Sequence, residues 1–447
     1  MALRDILVVT IVLILAVISL RRPWVGIMNW TWLSIMNPHR YCWGFASSAP
    51  VAAIAGATTL LGLLFTKDRR SPFHGAPVWW FLIFTIWITL SWLFGYDPAG
   101  DYAQWNKVVK IYLMIFVALA LLQTKLQIIA YTWVTIGSIA LLAAKGGLFT
   151  VMTGGGYKVF GPPGSFIGDN NSFALAVIIC VPVLHFLKSQ VNQSWIRHTI
   201  TIVMILCVAS GLGSQSRGAL LALITMGAVF WWRSPRKLPV TILLIVTTLI
   251  LVPMMPDTWW ERMDTIQTYE EDKSAMGRIY GWMVAVEVAK ERFFGGGMSY
   301  QHEELFRKYS DYSFGVIAAH SIYFQTLGNH GFIGLFLYLT FWTSTYLSAG
   351  RLRKRVQDIP EAKWAAELAA MIQVSLVSFA IGGAFLSLQY FDLPYNLMAI
   401  VVLASRWVRE RGWETDPRES FLEAIGFQNG NSISKAPSSG YRSAKPR

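Results

Sequence analysis

Apolar residues in this chain come as long runs, not as alternating or 3.6-residue patterns. The runs cover residues 6–20, 47–65, 78–94, 108–122, 128–144, 172–187, 200–213, 219–232, 240–252, 321–348, 366–386 and 393–408. About 20 apolar residues carry a helix across the hydrocarbon core of a bilayer. Inside lipid each backbone N–H must find its acceptor within its own segment, which favours helix over an open strand. The pattern therefore predicts an all-α polytopic membrane protein with about twelve transmembrane helices.

The polar breaks between runs set the orientation. Lys67, Arg69 and Arg70 fill one break, Arg233, Arg236 and Lys237 another, and Arg351, Arg353, Lys354 and Arg355 a third. Basic clusters in short loops mark the cytoplasmic face. Six runs separate the first two clusters and two separate the second from the third, both even, as loops on one side require. Segments 95–107, 146–171, 214–218 and 253–320 then face the other side, and both termini are expected in the cytoplasm. Arg21 and Arg22 fit this count poorly because they would lie outside, ahead of the Trp-rich segment 23–37. That segment reads as re-entrant or interfacial, and the alternative is a thirteenth span with an external N-terminus. The expected organisation is residues 1–252 with nine spans and the re-entrant segment 23–37, 253–320 as an external helical domain, 321–408 with the last three spans, and a polar, disordered tail at 409–447.

Composition narrows the picture further. Of 447 residues, 54% are hydrophobic and 14% charged, against about 25% charged in soluble domains, and the mean hydropathy is +0.44. Soluble and disordered chains are excluded. The 20 Trp, 17 Tyr and 26 Phe suit a protein anchored at two membrane interfaces. A net charge of +13 would suit nucleic acid, but the cations cluster between spans, so no nucleic-acid partner is expected. Cys42, Cys180 and Cys207 form neither a disulfide framework nor a CxxC pattern. Arg4 is offset by Asp5 and no small-residue cleavage site follows the first run, which reads as a retained span and not a cleaved leader.

Candidate chemistry collects on the external side. Ser214-Gln215-Ser216-Arg217-Gly218 is a short polar break holding an arginine with no acidic neighbour. Such a guanidinium either snorkels or meets an anion, and its planar fork suits phosphate. Ser274-Ala275-Met276-Gly277-Arg278 precedes an amphipathic stretch in which Ile279, Trp282, Met283, Val286, Ala289 and Phe293 share one helical face and Lys290 must snorkel. An arginine at such a helix start adds charge to an anion-favouring terminus, although Glu270, Glu271 and Asp272 offer it local partners. His320-Ser321 stands where the long external segment re-enters the membrane, and a neutral imidazole there can accept a hydroxyl proton. Gly331 and Gly334 lie about three turns deeper and read as sites of close helix approach, with His330 a packing or hydrogen-bonding residue. The Gly-rich segment 154–170 reads as turn punctuation before phosphate cradle. No Walker, dinucleotide, HExxH or Cys/His metal motif is present.

His320-Ser321, nine residues, then Gly331-Phe332-Ile333-Gly334 resembles the signature of the O-antigen ligase family. Trp32-Leu33-Ser34-Ile35-Met36-Asn37-Pro38-His39-Arg40 and Ser274-Ala275-Met276-Gly277-Arg278 look like its O-glycosylation ligase branch associated with exosortase systems. The resemblance implies a GT-C-type glycosyltransferase of the bacterial inner membrane that takes a glycan from undecaprenyl diphosphate and passes it to a hydroxyl of lipid A–core at the periplasmic face. It implies His320 as general base, Arg217 and Arg278 as diphosphate ligands, and no metal or other cofactor. A protein hydroxyl or another glycan unit is the alternative acceptor. A transporter without covalent chemistry is the competing class, disfavoured because most runs lack central charges.

Overall fold

The computed structural model describes residues 3–233, 237–251, 253, 255, 257, 260, 273–417 and 421–425. Among them the ordered elements are helices: α1 (Leu3–Arg21), α2 (Pro23–Met36), α3 (Val51–Phe65), α4 (Ala76–Leu93), α5 (Tyr102–Leu121), α6 (Lys125–Met152), α7 (Asn170–Ser189), α8 (Ser194–Gly213), α9 (Arg217–Arg233), α10 (Lys237–Leu251), α11 (Lys273–Glu291), α12 (Glu303–Tyr309), α13 (Ile322–Arg355), α14 (Lys363–Gly383) and α15 (Asp392–Arg409). Each of the twelve apolar runs falls on one of them. Among the described residues eight helices, α1, α4 to α8, α13 and α14, are long and apolar enough to cross a membrane. The chain is a multi-pass helical membrane protein. The described residues up to Asp416 form one compact unit.

The N-terminal hairpin departs from the expected course. Asp5, in the first turn of α1, accepts from the amides of Gly44 and Ala46 at 3.1 and 3.0 Å. At the other end of α1, a Cβ on Gly62 would meet the Ser19 carbonyl at 2.5 Å and Pro23 at 3.0 Å. The start of α2 and the end of α3 thus lie beside the end of α1, and α2 returns along α1 with Asn29 donating to the Val12 carbonyl at 3.2 Å. Segment 23–37 is mostly a buried helix that reverses α1. Arg21 and Arg22 consequently sit at the same end as the Lys67–Arg70 loop, and Asp5 at the opposite end. The expectation of a cytoplasmic N-terminus on the side away from His320 does not fit this course. The course suits the alternative of an external N-terminus, and the Trp and Asn positions of this 14-residue helix are what interrupt the apolar run.

The deep part of α13 is broken. Gly331 has φ 68° and ψ −174°, a conformation that side chains resist, and a Cβ there would lie 2.5 Å from the Phe293 carbonyl. The break frees the Gly328 and Asn329 carbonyls, which accept from the amides of Gly296 and Gly297 at 2.8 and 2.9 Å. Trp87 donates to the His330 carbonyl at 2.9 Å, and the His330 ring is bonded to the Tyr390 hydroxyl at 2.7 Å. Gly331 therefore admits the loop after α11, whereas Gly334 admits Trp87 of the neighbouring helix α4, where a Cβ would lie 3.1 Å from the indole nitrogen.

That loop, α11 and α12 enclose Tyr280, Val284, Ala285, Val288, Tyr300, Leu305, Phe306 and Ala319. The buried face of α11 is rotated from the expected one: Met283 and Phe293 are 59% and 64% exposed. Lys290 is exposed and paired with Glu287 at 2.7 Å, so it does not snorkel over the apolar face. Hydrophobic periodicity locates an apolar stripe, but beside a membrane that stripe need not face the protein interior. Residues 254, 256, 258–259 and 261–272 of the external segment, and Arg236 in the second basic cluster, lie outside the described residues. The start of the 409–447 segment is held in the fold, with Asp416 accepting from the Lys125 amide and the Trp407 indole at 2.7 and 2.8 Å. Residues 418–420 and 426–447 lie outside the description.

Candidate functional site

The site begins with the cap of α7. Asp169 accepts from the Asn171 and Ser172 amides at 2.9 and 3.0 Å, closing the N-terminus of that helix as an aspartate at this position does. The next residue, Asn170, donates to the Ser214 carbonyl at 2.7 Å. This ties the polar break between α8 and α9 to the start of α7. Within the break Gln215 has φ 56° and donates to the Gly155 carbonyl at 3.2 Å. Ser216 caps α9, accepting from the Ala219 amide at 3.2 Å. Arg217 is consequently the first residue of α9, where helix amides and the macrodipole favour a bound anion.

A Cβ on Gly218 would lie 3.2 Å from Phe385, so the start of α9 meets the segment leaving α14. Two residues on from Phe385, Ser387 accepts from the His320 amide at 3.1 Å. His320 has φ 44°, an uncommon value for a residue with a side chain, and directly precedes Ser321, the N-cap of α13. The chain turns sharply here, and the half-buried imidazole stands at the mouth of the bundle.

Burial pushes the His320 pKa below the ordinary imidazole value, and the Arg278 guanidinium lowers it further, while Asp169 acts in the opposite sense. The ring is therefore neutral at pH 7, with a lone pair free for a proton. The same interactions place Arg278 and Asp169 within electrostatic range of His320. Arg278 itself lies in the second turn of α11, which starts at Lys273. The string Ser274–Arg278 is inside the helix and not before it, so the helix-start role expected for Arg278 falls to Arg217. Glu270, Glu271 and Asp272, the expected local partners of Arg278, lie outside the described residues.

The Gly-rich segment closes on itself. The amides of Gly155, Gly156 and Gly168 donate to Thr150, Thr153 and Ser165 carbonyls at 2.9, 3.2 and 3.3 Å. Those groups serve turns and are not presented as an anion cradle. A second feature of this end was not picked out from the sequence: Lys107 and Lys110 on α5 line a cavity of about 280 Å³ together with Ser34, Phe166 and Asp392. The apolar run at 108–122 hid it, because α5 starts at Tyr102 and so takes both lysines into the helix. Their three-residue spacing was the available signal.

With this geometry in place the chain can be set beside known families. Residues 202–339 match the O-antigen ligase family. The match runs from α8 into α13 and takes in Arg217, Arg278, His320 and Gly331. Residues 3–192, covering α1 to α7, match a family of unknown function, DUF5935. No curated protein matches the chain. The match supports a glycosyltransferase-like enzyme of the ligase and polymerase type.

Proposed function

We propose that this protein is an O-antigen ligase of GT-C type, in the exosortase-associated branch, which transfers a glycan from undecaprenyl diphosphate to a hydroxyl of lipid A–core at the periplasmic face of the bacterial inner membrane. The observation that carries the reading is a neutral His320 beside the positive charge of Arg278, both inside the O-antigen ligase match. His320 takes the proton of the acceptor hydroxyl as its oxygen bonds to the anomeric carbon. The bond from that carbon to the diphosphate breaks, and undecaprenyl diphosphate leaves with the electron pair. Charge grows on the leaving group, where Arg278 and Arg217 at the start of α9 stabilise it. Attack opposite the leaving group inverts the anomeric centre. The neutrality of His320 is what allows it to act as base at pH 7, because an imidazolium has no lone pair to offer.

In this reading α2 is a further crossing, so that thirteen helices traverse the membrane, α1 starts in the periplasm, and Arg21 and Arg22 join the other cytoplasmic cations as basic loops do. The test is transfer by the purified protein from a lipid-linked glycan to lipid A–core. Glycan that appears on a protein or as chains of repeats, with lipopolysaccharide unchanged, would replace the acceptor. Transfer undiminished by His320→Ala would remove the base.

A further inference from the structure

The cavity beside α5 has no part in the chemistry above, and its lining is unusual for the depth at which it lies. Lys107 and Lys110 are the sixth and ninth residues of α5, so at a rise of about 1.5 Å per residue they stand roughly 8 and 12 Å inside the helix. Both side chains are exposed and line the cavity. Three residues apart on a helix, they project on one face. A cation in a membrane helix is costly and marks a polar ligand or pathway unless a protein anion meets it. Among the lining residues Asp392 is the one carboxylate. It is 2% exposed and accepts a hydrogen bond from the Ser34 hydroxyl. Lys107 stacks its ammonium over the Phe166 ring at 3.9 Å and is also within electrostatic range of the Asp392 carboxylate. Two cations against one buried acid leave the cavity positive.

The other lining groups suit a sugar. Trp30 and Phe166 offer flat apolar surface, and Asn37 and Asn106 offer amides that can both donate and accept. A volume of about 280 Å³ is at the low end for small-molecule sites, which admits one substituted ring in preference to a lipid tail. Two backbone segments join this cavity to the His320 site. Ile167 lines it, and two residues later Asp169 is within electrostatic range of His320. Asp392 lines it, and five residues earlier Ser387 bonds the His320 amide. Five residues span at most about 18 Å.

We infer that the cavity is a subsite for a phosphorylated sugar, with Lys107 and Lys110 binding its phosphate while the glycan reaches His320. A phosphate monoester carries up to two negative charges, which two ammonium groups match. The sugar belongs to the acceptor or to the donor glycan, and in either case this assignment rests on the glycan-transfer reading of the His320 site.

The experiment is calorimetric titration of the full-length protein in nanodiscs, carrying His320→Ala so that no turnover intervenes. The acceptor probe is phosphorylated core oligosaccharide released from lipopolysaccharide, and the donor probe is the released glycan as its reducing-end 1-phosphate. Each is also used after phosphatase treatment. One phosphorylated probe should bind tenfold or more tighter than its dephosphorylated form, which identifies the source. Lys107→Gln with Lys110→Gln should erase that difference, and Lys107→Arg with Lys110→Arg should keep most of it. Equal binding of phosphorylated and dephosphorylated forms of both probes, or an undiminished preference in the double glutamine variant, overturns the subsite. Absence of glycan transfer by the protein with His320 intact would defeat the ligase reading instead, and the titration would still decide the cavity.

Discussion

Arg406 and Arg233 at one end of the helix bundle are placed differently from Arg278 and Arg217 at the other. At the end carrying the basic loops both are absorbed by protein acceptors. Arg406, 4% exposed, donates to the Leu119 carbonyl at 2.7 Å and to the Leu122 carbonyl, the unpaired acceptors at the end of α5. Arg233 donates to the Tyr346 hydroxyl at 2.9 Å and the Gln373 amide oxygen at 3.1 Å. At the other end Arg278 acts on an imidazole and lowers its pKa, and Arg217 opens a helix where an anion is favoured. The residue type is the same, and the groups around each guanidinium differ, backbone carbonyls at Arg406 and backbone amides at Arg217. Helix C-termini present carbonyls that satisfy a guanidinium, whereas helix N-termini present amides that add to its attraction for a ligand.

The contrast is broken or sharpened by substitution at each end. The largest effect is expected at His320. Its replacement by Ala should lower the rate of glycan transfer by about 10²- to 10⁴-fold, the range for loss of a general base, in an initial-rate assay with lipid-linked donor. Arg278→Gln and Arg217→Gln should each cost about 10²-fold through lost charge stabilisation of the leaving group, with the melting temperature unchanged. Arg406→Met should do the reverse: turnover per folded molecule stays at the wild-type level, while stability falls by about 2 kcal/mol from buried carbonyls left unpaired, read by thermal unfolding in detergent. Should Arg406→Met abolish transfer without loss of stability, the division between the two ends is wrong.

The smallest effect is on pH dependence. A base works only when deprotonated, so activity is lost as pH falls through the His320 pKa, which lies below the ordinary 6.5. Arg278→Gln removes a positive charge that lowers this pKa. The acidic limb of the kcat/KM profile should move to higher pH, toward 6.5. A limb that stays in place or moves down would show that Arg278 does not act on His320.

Several of these features were legible in the chain itself. Twelve apolar runs correspond to twelve helices, because lipid-facing helices are made of long apolar stretches and little else competes with that signal. Arg217 and His320 were legible as polar residues at the ends of such runs, and Arg278 as an arginine ahead of an amphipathic stretch in the external segment. The face of α11 was misjudged, since an apolar stripe next to a membrane can be turned outward, as Met283 and Phe293 are. Close helix approach is right for Gly334, which faces Trp87 of α4, while the partner of Gly331 is the loop after Phe293, some 38 residues back in the sequence. Lys107 and Lys110 were passed over because the start of α5 depends on its neighbours.

By itself the sequence determined where twelve of the apolar helices lie and the residue types available for chemistry, because both follow from local transfer free energy and composition. Tertiary structure alone decided that α2 turns back along α1, that α13 breaks at Gly331 to receive the amides of Gly296 and Gly297, and that Asp169, Arg278, Ser387 and His320 converge. Those outcomes depend on which helix ends meet. Elements far apart in sequence can satisfy one another's free amides, carbonyls and charges only once packing has brought them together.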